Sequence, residues 1–278
     1  MESAIALNYE QKLRSFRAAY PEKAIDAAGV GWRYRVCGHS PRRLLLLPGG
    51  ELVNDLQFDF VTHLASRFRV IYPAYPRPES LDGLLDGLVA ILDAEDADRL
   101  TVIGMSFGGA VAQCLVRRCP ERIERVVFSN CGVPQTEVVR PRRIVNATLS
   151  AMPWPILRKP MARSLLRLLN APAGELCFWR GYVQDLYAKR LSKPDVLANL
   201  RLQLEFHAGQ NFLPGDLADW PGDILIIQSD NDIFNADRRK MVRDVYSRAQ
   251  VHTFQDAGHY PACSRAAEYR RVLDRFLE

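Results

Sequence analysis

The segment around Ser106 constrains the fold more than any other part of this sequence. Residues 100–103 form an apolar run that is typical of a buried strand, and residues 110–115 have the composition of a helix. Between them, residues 104–109 read Gly-Met-Ser-Phe-Gly-Gly, which places the serine in a tight turn from strand to helix. The glycines let the two elements approach closely, because no Cβ atom stands between them. The pattern predicts a strained serine, exposed at the carboxyl end of a strand.

A serine in such a turn is a candidate nucleophile, and a nucleophilic serine needs a histidine as its base. Of the five histidines, His259 fits this role best. It lies in the loop Ala-Gly-His-Tyr-Pro, after a predicted strand at 251–254, and such a loop can reach a site at the same edge of the sheet. His252 lies inside that strand and is interpreted as a half-buried structural residue. His39 and His63 are interpreted as surface residues.

An acidic residue is needed to orient the histidine and to stabilise its cation. The apolar run at 224–227 predicts a buried parallel strand, and the loop that follows it contains Asp230 and Asp232. Asp230 would be held close to the strand end, whereas Asp232 is far enough along the loop to approach the histidine. The residues themselves leave both candidates open.

Together these segments resemble the α/β-hydrolase superfamily, in which the serine, the acid and the histidine follow in this order. The resemblance rests on residues 45–50, 104–109, 224–232 and 257–261, and it spans residues 30–278. It implies an α/β fold with a mostly parallel sheet, helices on both faces and an inserted helical cap.

The resemblance also implies a role for particular residues. In this family the acid usually stands three residues after a small residue that ends the strand; because Ser229 takes that place, the implied triad is Ser106, Asp232 and His259. The implied oxyanion hole consists of the backbone N–H groups of Phe107 and Gly50. Two such donors, aimed at the developing negative charge, lower the barrier to acyl transfer.

The loop that follows the apolar run at 44–47 departs from the family pattern. Members usually carry His-Gly where this chain has Pro48 and Gly49, and we expect the change to affect the shape of the loop more than the chemistry. Glu51 follows at once, and a carboxylate beside an oxyanion hole is unfavourable unless it points away or binds a cationic group of the substrate. We expect Glu51 to be a solvated loop residue, with substrate binding as the alternative.

Strand patterns are absent from a long stretch of the sequence in which prolines interrupt helical periods. The length of this stretch predicts a helical cap at 134–220, with the α/β-hydrolase core formed by 1–133 and 221–278. We expect the cap to close the pocket above Ser106 and to decide the choice of substrate. Four of its side chains are candidate substrate-binding residues: Trp154, Trp179, Tyr182 and His207.

Composition disfavours several classes of partner. The chain is 48% hydrophobic and 25% charged, as in ordinary globular proteins, and its net charge of +5 comes from scattered arginines without interleaved aromatics, so no nucleic acid is expected. The first 20 residues contain no long apolar run, which disfavours a signal peptide or a membrane span and favours a cytoplasmic protein. The six cysteines lack C-x-x-C spacing, so reduced thiols, no metal and no cofactor are expected. A monomer or a homodimer is expected.

The serine at position 106 separates this chain from haloalkane dehalogenases and epoxide hydrolases, which use an aspartate there. The resemblance therefore implies a serine hydrolase that acts on a small-molecule acyl substrate through an acyl-enzyme, cleaving a carboxylic ester, a thioester, a lactone or a carbon–carbon bond next to a ketone. A looser resemblance of 217–232 to the maspardin-like branch, some members of which act as binding proteins, leaves a non-catalytic binding or scaffold protein open. An acyltransferase or lyase that uses the same residues is the other alternative.

Overall fold

An eight-stranded sheet organises the chain in the computed structural model, which describes residues 2–27 and 29–278. The strands are β1 (Lys23–Ala27), β2 (Val30–Cys37), β3 (Arg43–Leu47), β4 (Arg69–Ala74), β5 (Leu100–Met105), β6 (Ile123–Ser129), β7 (Asp223–Ser229) and β8 (Gln250–Phe254). Their order across the sheet is β1-β2-β4-β3-β5-β6-β7-β8. The pairs that involve β1 and β2 are antiparallel and all the others are parallel. The predicted mostly parallel sheet is confirmed.

Helices cover both faces of the sheet. They are α1 (Glu2–Ala19), α2 (Phe58–Ala65), α3 (Leu81–Ala94), α4 (Phe107–Arg118), α5 (Val139–Ala151), α6 (Trp154–Leu169), α7 (Leu176–Asp185), α8 (Lys193–Gly209), α9 (Ala236–Val245), α10 (Pro261–Ser264) and α11 (Ala266–Leu277). Because helices lie on both sides, the central strands are mostly apolar, and every residue from Leu44 to Leu47 is fully buried.

A helical insertion separates two neighbouring strands. The chain leaves the sheet at the end of β6, forms α5 to α8, and returns as β7, which pairs directly with β6. Residues 130–222, all of which are described, contain no strand. Within the insertion α5 packs on α8, and α7 continues into a π-helical turn at Leu186–Arg190. The start of α8 is fixed by a capping box, in which Ser192 and Asp195 bond to each other's backbone N–H groups.

The N-terminal helix α1 is tied to this insertion. Tyr9 of α1 lies against Phe178 of α7, with ring centroids 5.3 Å apart. Phe16 of the same helix is buried against Phe58. Neither α1 nor β1 is among the elements that the sequence patterns predict. In the part of the chain that the structure describes, no helix is both long enough and apolar enough to cross a bilayer.

Candidate active site

Ser106 stands in the turn between β5 and α4 with φ 54° and ψ −120°. This left-handed φ is unfavourable for a residue with a Cβ atom and persists only where the surroundings impose it. Two glycines allow the turn: a Cβ atom at Gly104 would overlap the carbonyl of Gly108, and one at Gly108 would overlap the carbonyl of Leu47. The Ser106 N–H donates to the Ser129 carbonyl at 2.9 Å, which fixes the turn against β6.

The structure brings Ser106, His259 and Asp232 together. Ser106 Oγ lies 2.8 Å from His259 Nε2, and His259 Nδ1 lies 2.6 Å from Asp232 Oδ1. The His259 and Asp232 side chains are only 2% and 1% exposed, so this pair is shielded from water on nearly every side. Shielding strengthens the hydrogen bonds, because little solvent competes for the donors and acceptors.

The two candidate acids have different surroundings. The second oxygen of Asp232, Oδ2, accepts a hydrogen bond from Asn130 Nδ2 at 2.7 Å, so both carboxylate oxygens are engaged. Asp230 is exposed, and its Oδ1 accepts the backbone N–H of Asp256 at 2.9 Å. Asp230 therefore ties the acid loop to the histidine loop, while Asp232 contacts the imidazole.

Asn130 is a part of this site that the sequence patterns did not indicate. It follows β6 directly and has φ 46°, a conformation that asparagine tolerates better than most residues. Its Nδ2 also lies 3.1 Å from Ser229 Oγ and 3.3 Å from the Gly258 carbonyl. Asn130 thus connects the ends of β6 and β7 with the histidine loop. An asparagine directly after a buried strand was the available signal.

Phe107 follows Ser106 at the start of α4, and Gly50 lies in the loop after β3. The Phe107 N–H belongs to the first turn of α4, where no helical carbonyl lies in position to accept it, and where the helix dipole favours negative charge. Gly50 is exposed in the loop after β3, and its carbonyl accepts a hydrogen bond from Asn199 Nδ2 of α8 at 3.3 Å. The assignment of these two N–H groups to an oxyanion hole stays a prediction.

The expectation that Glu51 is a solvated loop residue is wrong. Glu51 is 2% exposed; its Oε1 accepts the Gly49 N–H at 3.0 Å and its Oε2 accepts the Tyr260 hydroxyl at 2.6 Å. Burial raises the pKa of the Glu51 carboxyl above its usual value, although the Tyr260 hydroxyl and the Gly49 N–H partly offset this. The carboxylate points inward and joins the loop after β3 to Tyr260, the neighbour of His259.

The four candidate substrate-binding residues of the insertion lie in different places. Trp179 packs between Tyr9 and Phe178, with its Nε1–H donated to Glu175, and the Tyr182 hydroxyl donates to Asp55 at 2.5 Å. The half-buried Trp154 lies 6.2 Å from the ring of Tyr187. His207 Nδ1 accepts the backbone N–H of Gln135 at 3.1 Å, which leaves the imidazole neutral. None of these polar contacts involves the three residues of the candidate triad, and substrate binding by these four stays a prediction.

The described residues contain no group of three or more His, Cys, Asp or Glu side chains that could hold a metal ion. An imidazole that receives a proton at Nε2 while its Nδ1–H is held by a carboxylate can raise the nucleophilicity of the serine.

Comparison with known proteins decides the family. The sequence model of the alpha/beta hydrolase family matches residues 44–272. The chain belongs to this family. Its matched segment contains the Ser106 turn, both acid candidates and His259, which agrees with the resemblance drawn from the sequence.

Several known proteins are similar to this chain over much of its length. An uncharacterized protein of Mycobacterium tuberculosis is 23% identical, with 97% of this chain and 85% of the relative covered. The 2-hydroxymuconate semialdehyde hydrolase of Pseudomonas sp. CF600 is 28% identical, with 70% of this chain and 68% of the relative covered. The crystal structure of a hydrolase from Pseudomonas aeruginosa PA01 superposes with a TM-score of 0.76 at 19% identity, covering 92% of this chain and 98% of that one. The last comparison shows the shared fold.

Proposed function

We propose that the protein is a serine hydrolase that cleaves a carboxylic ester or a related acyl bond through an acyl-enzyme. The observation that carries the proposal is the continuous hydrogen-bonded chain from Ser106 Oγ through His259 to Asp232, built on a strained turn. Buried polar groups in one line, with backbone strain at the first of them, cost stability, and such arrangements cluster at active sites.

The geometry supports the following sequence of steps. With the Nδ1–H of His259 donated to Asp232, Nε2 is free to take the proton of Ser106 as Oγ bonds to the acyl carbon. The carbonyl oxygen becomes negative and is stabilised by the Phe107 and Gly50 N–H groups. His259 then returns its proton to the leaving oxygen as the acyl bond breaks. Water repeats the same exchange to release the acid and restore Ser106.

Two further residues, Asn130 and Phe234, are assigned the role of positioning His259. Asn130 holds the second oxygen of Asp232, so the carboxylate cannot rotate away from the imidazole. The rings of Phe234 and Tyr260 both contact the imidazole of His259, with centroids 5.7 and 5.4 Å away. Packing by two aromatic rings restricts the imidazole to one rotamer, which maintains its alignment with Ser106.

A carbon–carbon bond next to a ketone is the second candidate, because the relative with 28% identity is named a 2-hydroxymuconate semialdehyde hydrolase. The same three residues would serve, since the attacked carbon is again a carbonyl carbon.

We also propose that residues 134–220 act as a cap that selects the substrate. In that role Trp154→Ala changes the preferred acyl length of the esters that are cleaved.

The test is covalent labelling with a fluorophosphonate, followed by peptide mass spectrometry. We expect one adduct on the peptide that contains Ser106, and hydrolysis of 4-nitrophenyl acetate that is lost with the adduct. Ser106→Ala should abolish both, whereas Ser247→Ala, at an exposed serine, should abolish neither. If Ser106 is not labelled in folded protein, the hydrolase proposal fails and the binding-protein alternative is favoured. Activity on 2-hydroxymuconate semialdehyde but not on esters would favour the second candidate.

A further inference from the structure

Three basic side chains from three different helices lie close enough for their charges to interact. Arg142 comes from α5, His207 from α8 and Arg238 from α9, and all three are half-buried. Burial, followed by the charges of Arg142 and Arg238, lowers the pKa of His207 from 6.5 to about 4. At neutral pH the cluster therefore holds two cations and one neutral imidazole.

No carboxylate of the described residues pairs with Arg142 or Arg238, although most other partly buried arginines of the chain have such a partner. The guanidinium of Arg142 makes one hydrogen bond, from Nη1 to Gln203 Oε1 at 3.1 Å. Burial, followed by the charge of Arg238, lowers the pKa of Arg142 below its usual value. A half-buried cation with only a neutral partner is unfavourable, and an anionic ligand would relieve the cost.

One side of this cluster reaches the loop after β3. Gln203, which holds Arg142, has its Nε2 3.9 Å from a Cβ atom built on Gly50. Asn199, one helical turn earlier on α8, donates to the Gly50 carbonyl at 3.3 Å. The side chain of Gln203 therefore lies between Arg142 and Gly50, whose N–H is assigned to the oxyanion hole.

The other side of the cluster contacts the segment that leads from β6 into α5. His207 accepts the Gln135 N–H at 3.1 Å, in the segment that leads from β6 into α5. In the same segment, a Cβ atom built on Gly132 would lie 3.6 Å from the ring of Phe234, and Phe234 contacts His259. Contacts thus connect the cluster to Gly50 through Gln203, and to His259 through the segment 132–135 and Phe234.

We propose that Arg142, supported by Arg238, binds a carboxylate carried by the acyl part of the substrate. The inference rests on the proposed hydrolase function and names its substrate class: half-esters of dicarboxylic acids, or keto acids of similar length. A guanidinium has five N–H donors in a plane, and Gln203 occupies one of them, so a fork remains for the two oxygens of a carboxylate. The neutral His207 adds a polar wall without a third charge.

The test uses 4-nitrophenyl half-esters of dicarboxylic acids with four to eight carbons, each compared with its own methyl ester after subtraction of the uncatalysed rate. The readout is the ratio of kcat/KM for the acid to kcat/KM for the methyl ester. At one chain length or more we expect a ratio above about 10, since a hydrogen-bonded charge pair at a desolvated site contributes at least this factor. Arg142→Gln should lower that ratio by about 10- to 100-fold.

Two further variants separate recognition from folding. Arg142→Lys keeps the charge but loses the fork and should give an intermediate ratio. Arg143→Gln changes an exposed arginine on the same helix and should keep the wild-type ratio. A wild-type ratio near 1 at every chain length, or equal losses in Arg142→Gln and Arg143→Gln, would overturn the proposal.

Binding measured without turnover separates this proposal from the proposed function. Calorimetry with Ser106→Ala should show that the half-ester binds more tightly than its methyl ester, and that adding Arg142→Gln removes the difference. If Ser106 is not labelled by the fluorophosphonate and this difference persists, the hydrolase proposal fails and the carboxylate site stands. If Ser106 is labelled and the difference is absent, the carboxylate site is refuted.

Discussion

Replacing Asp55 with asparagine is expected to destabilise the protein more than the same replacement at an exposed aspartate. Asp55 is 1% exposed in the loop between β3 and α2. Its Oδ2 accepts two hydrogen bonds from Arg17 of α1, at 2.9 and 2.6 Å. Its Oδ1 accepts one from Tyr182 of α7 at 2.5 Å and one from Arg190 at 2.8 Å. One carboxylate therefore joins the core, the N-terminal helix and the helical insertion.

The magnitude follows from what Asp55→Asn leaves behind. The new amide oxygen can still accept from Tyr182 or Arg190, but its NH₂ group faces the donors of Arg17. The Arg17 side chain is 38% exposed and can turn to water, whereas that of Arg190 is 26% exposed and has a buried Nη1 without a partner in the described structure. Breaking one side of a buried ion pair costs about 3 to 5 kcal/mol, and the partial exposure of both arginines places the expected loss near 3 kcal/mol.

The assay is urea unfolding followed by tryptophan fluorescence. With a denaturant slope of about 3 kcal/mol per molar, a loss of 3 kcal/mol lowers the midpoint by about 1 M. Asp59→Asn is the matched control: Asp59 also contacts two cations, Lys12 and Arg270, but it is 31% exposed, so about 1 kcal/mol or less is expected. Equal losses in the two variants would refute the argument that burial makes the Asp55 contacts strong.

The pH dependence of this effect has a definite sign. Burial raises the pKa of Asp55, but Arg190, the Tyr182 hydroxyl and Arg17 outweigh burial, so the pKa lies below its usual value. A carboxyl whose folded-state pKa is lowered stabilises the fold above its unfolded pKa, and this contribution is lost as the pH falls through the folded pKa. The difference between wild type and Asp55→Asn should therefore be full at pH 7 and shrink below about pH 4.

The other predictions concern the site. Asp232→Asn should lower kcat on 4-nitrophenyl acetate by orders of magnitude with the fold intact by circular dichroism, and Asp230→Asn should have a small effect; the reverse ranking would transfer the acid role to Asp230. Glu51→Gln and Tyr260→Phe should each lower the unfolding free energy by about 1 to 3 kcal/mol, and the double variant by less than their sum; full additivity would show that the two groups are not coupled. The pKa of His207 is lowered to about 4, so the unfolded chain binds a proton on this residue more readily than the folded chain does. The free energy of unfolding should therefore fall as the pH is lowered from 6.5 towards 4. His207→Gln should lose this part of the pH dependence, and an unchanged pH dependence would contradict a buried neutral imidazole.

The sheet and the triad candidates could be predicted because their signals are local in the sequence. An apolar run, a glycine-flanked serine and a loop histidine each show their chemistry within a few residues. Glu51 could not be predicted in the same way: its burial depends on Tyr260, which is more than 200 positions away. Asn130 and the cluster around Arg142 likewise depend on contacts between segments that only the folded chain brings together.

Two carboxyl groups in one loop show how partners, more than burial, decide the charge near this site. Glu51 and Asp55 are four residues apart and almost equally inaccessible, at 2% and 1% exposure. Asp55 is held by two arginines and its pKa is lowered, whereas Glu51 has a hydroxyl and a backbone N–H as its partners and its pKa is raised. As the pH falls, Glu51 therefore takes up a proton before Asp55 does. Glu51 is therefore neutralised first, while Asp55, which joins the core to the helical insertion, remains ionised.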